Sequence, residues 1–246
     1  MGTAIVVTSG KGGTGKTSLT GGISSCLAAL DNRVLCIDMD VGLRNLDLIL
    51  GMSDRTLMDF TDVISGRCTL ERAAYPHPVI RNLSLLTAPL HIPEETISEQ
   101  AVRTLIQTAV NEYDYVLIDC PAGLGTGFQL ATCRADRALV VSTSDCSALR
   151  DAQRTVSTLS KHMSHIHLLV NRVQPKLLRR LHSTIDDAMD TAGLPLLGII
   201  PEDPNVMLAA NRGQPLILAT NRGAAIACLN IAQRLIGQRV PLMRIR

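Results

Sequence analysis

A doubly wound, three-layer α/β fold with a mostly parallel sheet is what this sequence predicts, on three observations. Short runs rich in apolar and β-branched residues recur at Ala4 to Thr8, Val34 to Asp38, Leu83 to Leu86, Tyr115 to Asp119, Ala138 to Ser142, Ile166 to Asn171 and Leu196 to Ile200. Helical patterns separate most of them, which supplies the crossovers that parallel strands require. The runs are near-continuously apolar rather than alternating, as strands covered by helices on both faces must be. At 246 residues and 46% apolar composition the chain can bury such a core as one domain over residues 1–246, and no repeat, low-complexity tract or Ser/Pro-rich linker divides it. Ligands of such sheets lie outside the carboxyl ends of the strands, so the chemistry is to be sought there.

The first strand runs into Gly10-Lys11-Gly12-Gly13-Thr14-Gly15-Lys16-Thr17-Ser18, and a helix is expected from Thr17 to Leu30. The pattern G-x-x-x-x-G-K-[ST] describes a phosphate-gripping loop: glycine N–H groups cradle phosphates, Lys16 reaches the terminal ones and the Thr17 hydroxyl holds magnesium. The same octet contains Gly10-x-Gly12-x-x-Gly15, a dinucleotide-binding turn, with Asp38 and Asp40 where a ribose-binding acid would stand. Lys16-Thr17 directly behind the last glycine separates the two. A pyrophosphate needs only backbone and helix dipole, whereas a triphosphate with magnesium needs a cation and a hydroxyl. The expected architecture is therefore that of a P-loop NTPase.

The second strand ends Cys36-Ile-Asp38-Met-Asp40 and the fourth ends Leu117-Ile-Asp119-Cys-Pro-Ala-Gly123, which brings three carboxylates to the edge where the loop opens. Magnesium on a nucleotide keeps most of its waters, so a strand-tip carboxylate suits it as a water holder. Asp119 takes that part, Asp38 faces the magnesium shell, and Asp40, just beyond the strand, is free to orient an attacking water. A single strand-end Asp would more simply cap a turn or helix; three at one edge point to function. Between these strands, Gly51 to Asn82 carries two short helical patterns, and Pro76-His-Pro78 is expected to end the second before the third strand.

Composition narrows the partners. A net charge of +2, 2% aromatic residues and no Trp give no general case for nucleic acid or for base stacking. Seven cysteines, an odd set without a C-x-x-C pair and mostly within apolar segments, read as reduced core thiols. No signal-peptide pattern or membrane-length apolar run is present, which leads to the expectation of a cytoplasmic protein. His162-x-x-His165-x-His167 lacks a Cys or carboxylate near in sequence to complete a metal site, and Cys133 with Cys120-Pro lacks the flanks of a cluster ligand set.

Lys11-Gly-Gly-Thr-Gly-Lys16-Thr17, Asp38-Met-Asp40-Val-Gly-Leu-Arg44-Asn45-Leu-Asp47, Asp119-Cys-Pro-Ala-Gly123 and Ile200-Pro-Glu202-Asp203 together resemble the deviant-Walker ATPases of the MinD/ParA type, over nearly the whole chain. The resemblance implies an ATP- and Mg2+-dependent ATPase that dimerises around two nucleotides, Lys11 reaching the phosphates of the other subunit. It implies that Asp40 positions the hydrolytic water, that Asn45 lies near it in switch I, and that Asp119 belongs to switch II. Asn171 and Arg172 after the sixth strand, and Pro201, Glu202 and Asp203 after the seventh, would hold adenine; a post-strand Asn is equally a turn former. The run Gly42 to Asp47 resembles the septum-positioning branch, which implies division-site placement with a MinC-like inhibitor and a MinE-like activator. Arg44, Arg150 and Asp151 would then face partners, although Arg150 and Asp151 also suit an ordinary helix start.

The C-terminus departs from that branch. Its members usually finish in an amphipathic membrane helix, whereas Val240-Pro-Leu-Met-Arg-Ile-Arg246, within a tail from about residue 238, is too short and too close to Pro241 to form one. Membrane attachment is thus expected to be at most peripheral and reversible. The rivals are a partitioning ATPase that binds DNA nonspecifically through Arg172, Arg179 and Arg180, a flagellar-number ATPase, and a nicotinamide oxidoreductase.

Overall fold

The computed structural model describes residues 1–55, 57–90 and 97–243. An eight-stranded sheet in the order β3-β4-β2-β5-β1-β6-β7-β8 forms the middle layer. Its strands are β1 (Thr3–Thr8), β2 (Val34–Asp38), β3 (Tyr75–Pro76), β4 (Leu83–Leu86), β5 (Tyr115–Asp119), β6 (Arg137–Ser142), β7 (His165–Val173) and β8 (Leu196–Pro201). Every pairing is parallel except that of β3 with β4. The helices are α1 (Lys16–Ala29), α2 (Leu46–Leu50), α3 (Phe60–Ile64), α4 (Leu70–Ala73), α5 (Glu99–Glu112), α6 (Thr126–Thr132), α7 (Cys146–Leu159), α8 (Pro175–Leu181), α9 (Ile185–Ala192), α10 (Pro204–Asn211), α11 (Leu216–Ala219) and α12 (Ala224–Leu235).

The absence of alternation in the strands has its cause in two cores, one on each face. Along β1, Ala4 and Val6 point into the core built with α3, α4, α5, α6, α7 and α9, while Ile5 and Val7 point into the core built with α1, α2, α10, α11 and α12. Successive side chains of a strand face opposite ways, so a strand buried on both sides needs apolar residues at every position.

Two local expectations are corrected. Pro76 does not simply stop a helix: α4 already ends at Ala73, and Tyr75-Pro76 forms a short antiparallel edge strand against Leu85 and Ser84. Proline has no N–H to donate and is tolerated where a strand has a free side. The run Ile166 to Asn171 is part of a longer strand, β7 (His165–Val173), which also takes in Arg172. A register shift against β8 between Val170 and Val173, with Arg172 at φ 57°, kinks its end and re-aims these side chains.

The tail around residues 238–243 forms no helix and is strapped to the sheet. The Arg234 guanidinium donates to the carbonyls of Leu197 (2.9 Å), Val240 (3.1 Å) and Pro241 (2.7 Å). The last part of the expected tail, residues 244–246, lies outside the described residues.

Candidate nucleotide site

The loop from Gly10 to Gly15 leaves the carboxyl end of the central strand and delivers Lys16 into the first turn of α1. Gly15 caps that helix at φ 93°, with no side-chain cap and no acidic residue in the first turn. The amide donors there are left for an anion, and the dipole favours one. Gly12 and Gly13 face open space, whereas at Gly15 a Cβ would stand 2.4 Å from Asn171 Nδ2. Thr14 Oγ1 is buried with no hydrogen-bond partner among the described residues. Lys16 is itself buried, so its ammonium demands an anionic partner. An open glycine cradle, an orphaned hydroxyl and a buried cation fit a nucleotide's phosphates.

Asp38 and Asp119 are register partners on β2 and β5, both buried. Burial first, and then the charge of Asp38, push Asp119 up to about 7, against hydrogen bonds from Thr17 and Thr20 and the charge of Lys16. Burial pushes Asp38 up to about 6, against hydrogen bonds from the backbone of Asp40 and Leu46. Burial disfavours the charge of both carboxylates, and a hard divalent cation relieves both. With the Thr17 hydroxyl beside them, this oxygen set fits magnesium.

Thr20 was not among the sequence candidates. Its hydroxyl lies 3.1 Å from Asp119 Oδ1 and 3.0 Å from the Lys16 carbonyl, on the buried face of α1.

Asp38 also organises the segment that follows β2. Its Oδ1 accepts from Asp40 N (2.9 Å) and its Oδ2 from Leu46 N (3.1 Å), which closes residues 39–46 over the strand end. Asp40 is thereby held half-buried at the edge and Asn45 is exposed. Arg44, expected on a partner surface, is engaged within the chain. Its side chain pairs with Asp47 at 2.8 Å and is 16% exposed, and its backbone φ is 42°.

Lys11 lies in the open, and its Nζ donates to Ser147 Oγ at 2.8 Å. Ser147 Oγ donates in turn to Asp145 Oδ1 (2.7 Å), and the same carboxylate caps α7 through Ala148 N (3.0 Å). Hydrogen bonds from Thr143 and Ser147 hold Asp145 down at about 2. The loop touches α7 a second time at Gly10, where a Cβ would stand 2.3 Å from the Asp151 carbonyl oxygen. Arg150 is exposed on the same helix, and Asp151 pairs with Arg154 at 3.6 Å.

Most of the residues expected around adenine have contacts within the chain. Asn171 Nδ2 donates to the Thr14 carbonyl at 2.7 Å and its Oδ1 accepts from Arg172 N at 2.9 Å, so this amide braces the phosphate loop. Arg172 pairs with Glu202 at 2.9 Å. Asp203 caps two helices at once, accepting from Asn205 N and Ala224 N, each at 2.9 Å. Charged groups at strand ends satisfy nearby helix starts first, and Pro201 closes β8 without a side-chain donor. With Arg172 paired, the candidate nucleic-acid stripe shrinks to Arg179 and Arg180. His165 is exposed and His167 half-buried on β7, while His162 lies beyond the end of α7. Cys120 is buried and Cys133 half-buried; Cys146, at the start of α7, is an exposed exception to the core thiols.

Comparison with known proteins agrees with this geometry. Residues 5–216 match the CobQ/CobB/MinD/ParA nucleotide binding domain. The septum site-determining protein MinD of Synechocystis sp. is 37% identical over 246 residues, covering 99% of this chain and 92% of the relative. That of Bacillus subtilis is 38% identical over 246 residues, covering 98% and 92%. Among solved structures, the MinC:MinD cell division protein complex of Aquifex aeolicus superposes with a TM-score of 0.91 at 38% identity, covering 98% of this chain and 99% of that one. MinD of Pyrococcus horikoshii complexed with Mg-ADP superposes with a TM-score of 0.82 at 29% identity, covering 96% and 97%. A phosphate loop with two lysines, paired strand-tip aspartates and this likeness over almost the full length lead to one assignment: the chain belongs to the CobQ/CobB/MinD/ParA nucleotide-binding family, in its septum site-determining MinD branch.

Proposed function

We propose that this chain is an ATP-hydrolysing dimerisation switch that positions the division site. The observation that carries the reading is the division of labour between two lysines of one loop. Lys16 is buried at the start of α1, and Lys11 is exposed and rests on a neutral serine hydroxyl. Leaving a hydroxyl costs an ammonium little, so Lys11 can swing to phosphates presented by a second copy, where a charge-assisted bond is stronger.

Within each copy, Lys16 and the free N–H groups of α1 bind and orient the phosphates. Asp40 holds the attacking water, with Asn45 beside it in switch I. Asp38, Asp119 and Thr17 hold the metal's hydration shell, and bound Mg2+ supplies charge neutralisation on the phosphate oxygens. Asn171 keeps the loop in register. Adenine contact falls to the second N–H of the Asn171 amide and to the backbone around Pro201 and Glu202.

The partner surface is inferred on α7, around Arg150 and Asp151. This helix touches the loop through both Gly10 and Ser147, so a partner bound there senses whether Lys11 is parked or engaged. The Aquifex aeolicus complex of MinD with MinC supports a MinC-like inhibitor as one partner, and a MinE-like activator that speeds slow hydrolysis completes the cycle. The protein is then cytoplasmic, with reversible attachment to the inner membrane in the ATP state.

Sedimentation velocity with ATP and with ADP tests the switch. Lys11→Ala is expected to bind nucleotide as the parent does and to lose ATP-dependent dimerisation by at least tenfold; unchanged dimerisation overturns the reading.

A further inference from the structure

A guanidinium and two imidazoles meet at the amino edge of the sheet, the end away from the phosphate loop. Arg137 opens β6 and His165 opens β7, and the two are register partners, so their side chains stand side by side on one face. His167, two residues on, shares that face. It is the face of Leu139 and Leu169, and here the core beneath α1 and α12 runs out: Arg137 and His167 are half-buried and His165 is exposed. Burial first, then the charges of Arg137 and His165, hold the His167 imidazole below its usual range, so the groups act on one another. Arg137 also acts on the half-buried Tyr115 phenol of β5. Among the described residues, the side chains of Arg137, His165 and His167 enter no ion pair and no hydrogen bond. The acids of this edge are engaged elsewhere: Asp136 with Ala4 N at 2.8 Å and Arg134 at 3.0 Å, and Asp114 with Arg33 at 3.2 Å. A half-buried guanidinium without an acceptor is a cost that the fold itself does not offset.

We propose that this edge is a binding site for a small soluble phosphate-bearing anion, held by the Arg137 guanidinium and by N–H groups of His165 and His167. The guanidinium fork matches two oxygens of a tetrahedral oxyanion, and an imidazole offers an N–H donor even when neutral. Neighbouring strands lie about 4.8 Å apart and residues i and i+2 of a strand about 7 Å, so donors at these three positions can close around one phosphate. The fork occupies both oxygens of a carboxylate, whereas a phosphate has further oxygens for the imidazoles. A nucleic-acid backbone calls for a track of cations, and this cluster contains a single guanidinium. The site is separate from the nucleotide's. It lies at the start of β6, and the six residues of that strand span about 20 Å toward the edge where the phosphate loop opens. It therefore stands whether or not the dimer switch does.

The test is titration of the full chain with inorganic phosphate while magnesium and ADP saturate the phosphate loop. The imidazole proton resonances are followed at constant pH and ionic strength, with chloride as the control anion, and His165→Ala and His167→Ala assign the two that matter. Saturable shifts of His165 and His167 are expected. Arg137→Gln should weaken the apparent affinity about fivefold or more while keeping the parent's dichroism and ADP affinity. His165→Ala, at an exposed position, should weaken the response of His167 about threefold, which reads the site even if Arg137→Gln folds poorly. Phosphate should also raise the Tm of the parent more than that of His165→Ala. The proposal is overturned if the shifts grow linearly with phosphate, if chloride produces them equally, or if folded Arg137→Gln and His165→Ala both titrate as the parent does.

Discussion

Gly15 joins the phosphate loop to its brace. Its φ of 93° belongs to the left-handed region, and the space where a Cβ would go is filled by the Asn171 amide that holds the Thr14 carbonyl. Gly15→Ala meets backbone strain of about 1–2 kcal/mol and displaces that brace as well. Nucleotide affinity, followed with a fluorescent ATP analogue, is expected to fall tenfold or more while the far-ultraviolet dichroism stays that of the parent; an unchanged affinity would mean the loop does not depend on Asn171. Lys16, Thr17 and Asp119 are legible in sequence because their chemistry is written in contiguous motifs at strand ends. Thr20 and Ser147 are not, because each acts on a residue far along the chain: Asp119 is 99 positions from Thr20, and Lys11 is 136 from Ser147. Only folding makes those pairs.

Two helices start on one carboxylate at Asp203. The Pro201-Glu202-Asp203 run resembles an adenine-binding segment, but the structure engages this side chain with the first turn of α10 and the start of α12. Each lost cap costs about 1 kcal/mol, so Asp203→Ala should lower stability by about 2 kcal/mol and Tm by about 4–8 °C for a domain of this size. Calorimetry reads the stability and titration reads the nucleotide, whose affinity should stay within about threefold if capping is the carboxylate's duty. A large loss of affinity at unchanged Tm would return Asp203 to the base. The long strands are legible at this scale because their apolar runs are near-continuous, and α1 because it follows the phosphate motif. The edge strand β3 is two residues long and contains a proline, α2 is a five-residue turn set by Asp38, and the end of β7 is decided by a register shift. None of these leaves a periodic trace.

The sheet that separates the two cores also places Asp38 beside Asp119, so a property of the site becomes a property of the whole molecule's stability. The fold class follows from the sequence because burial on both faces leaves an apolar signature, but the adjacency of these two acids follows from strand order, with β2 next to β5, which no local pattern encodes. Both are raised above their unfolded values, so the folded protein takes up protons relative to the unfolded chain. Their contribution is complete below the ordinary carboxylate range and is lost as pH rises through about 6 and about 7. From these two acids the nucleotide-free protein should therefore lose stability between about pH 4 and pH 7, the loss being complete above that. His77 works in the opposite sense, since burial holds its imidazole below the usual range and its contribution is lost as pH falls. Comparison with Asp119→Asn cancels it, because His77 is the same in both proteins. That variant should melt several degrees higher than the parent at about pH 8 without nucleotide, and its Tm should change less with pH. Magnesium with ADP should remove most of the parent's deficit at the same pH, because a cation between the carboxylates stabilises the state that burial opposes, whereas the variant should respond less. Parallel melting curves for parent and variant across this pH range, with and without magnesium, would mean that the two acids do not share the site's charge.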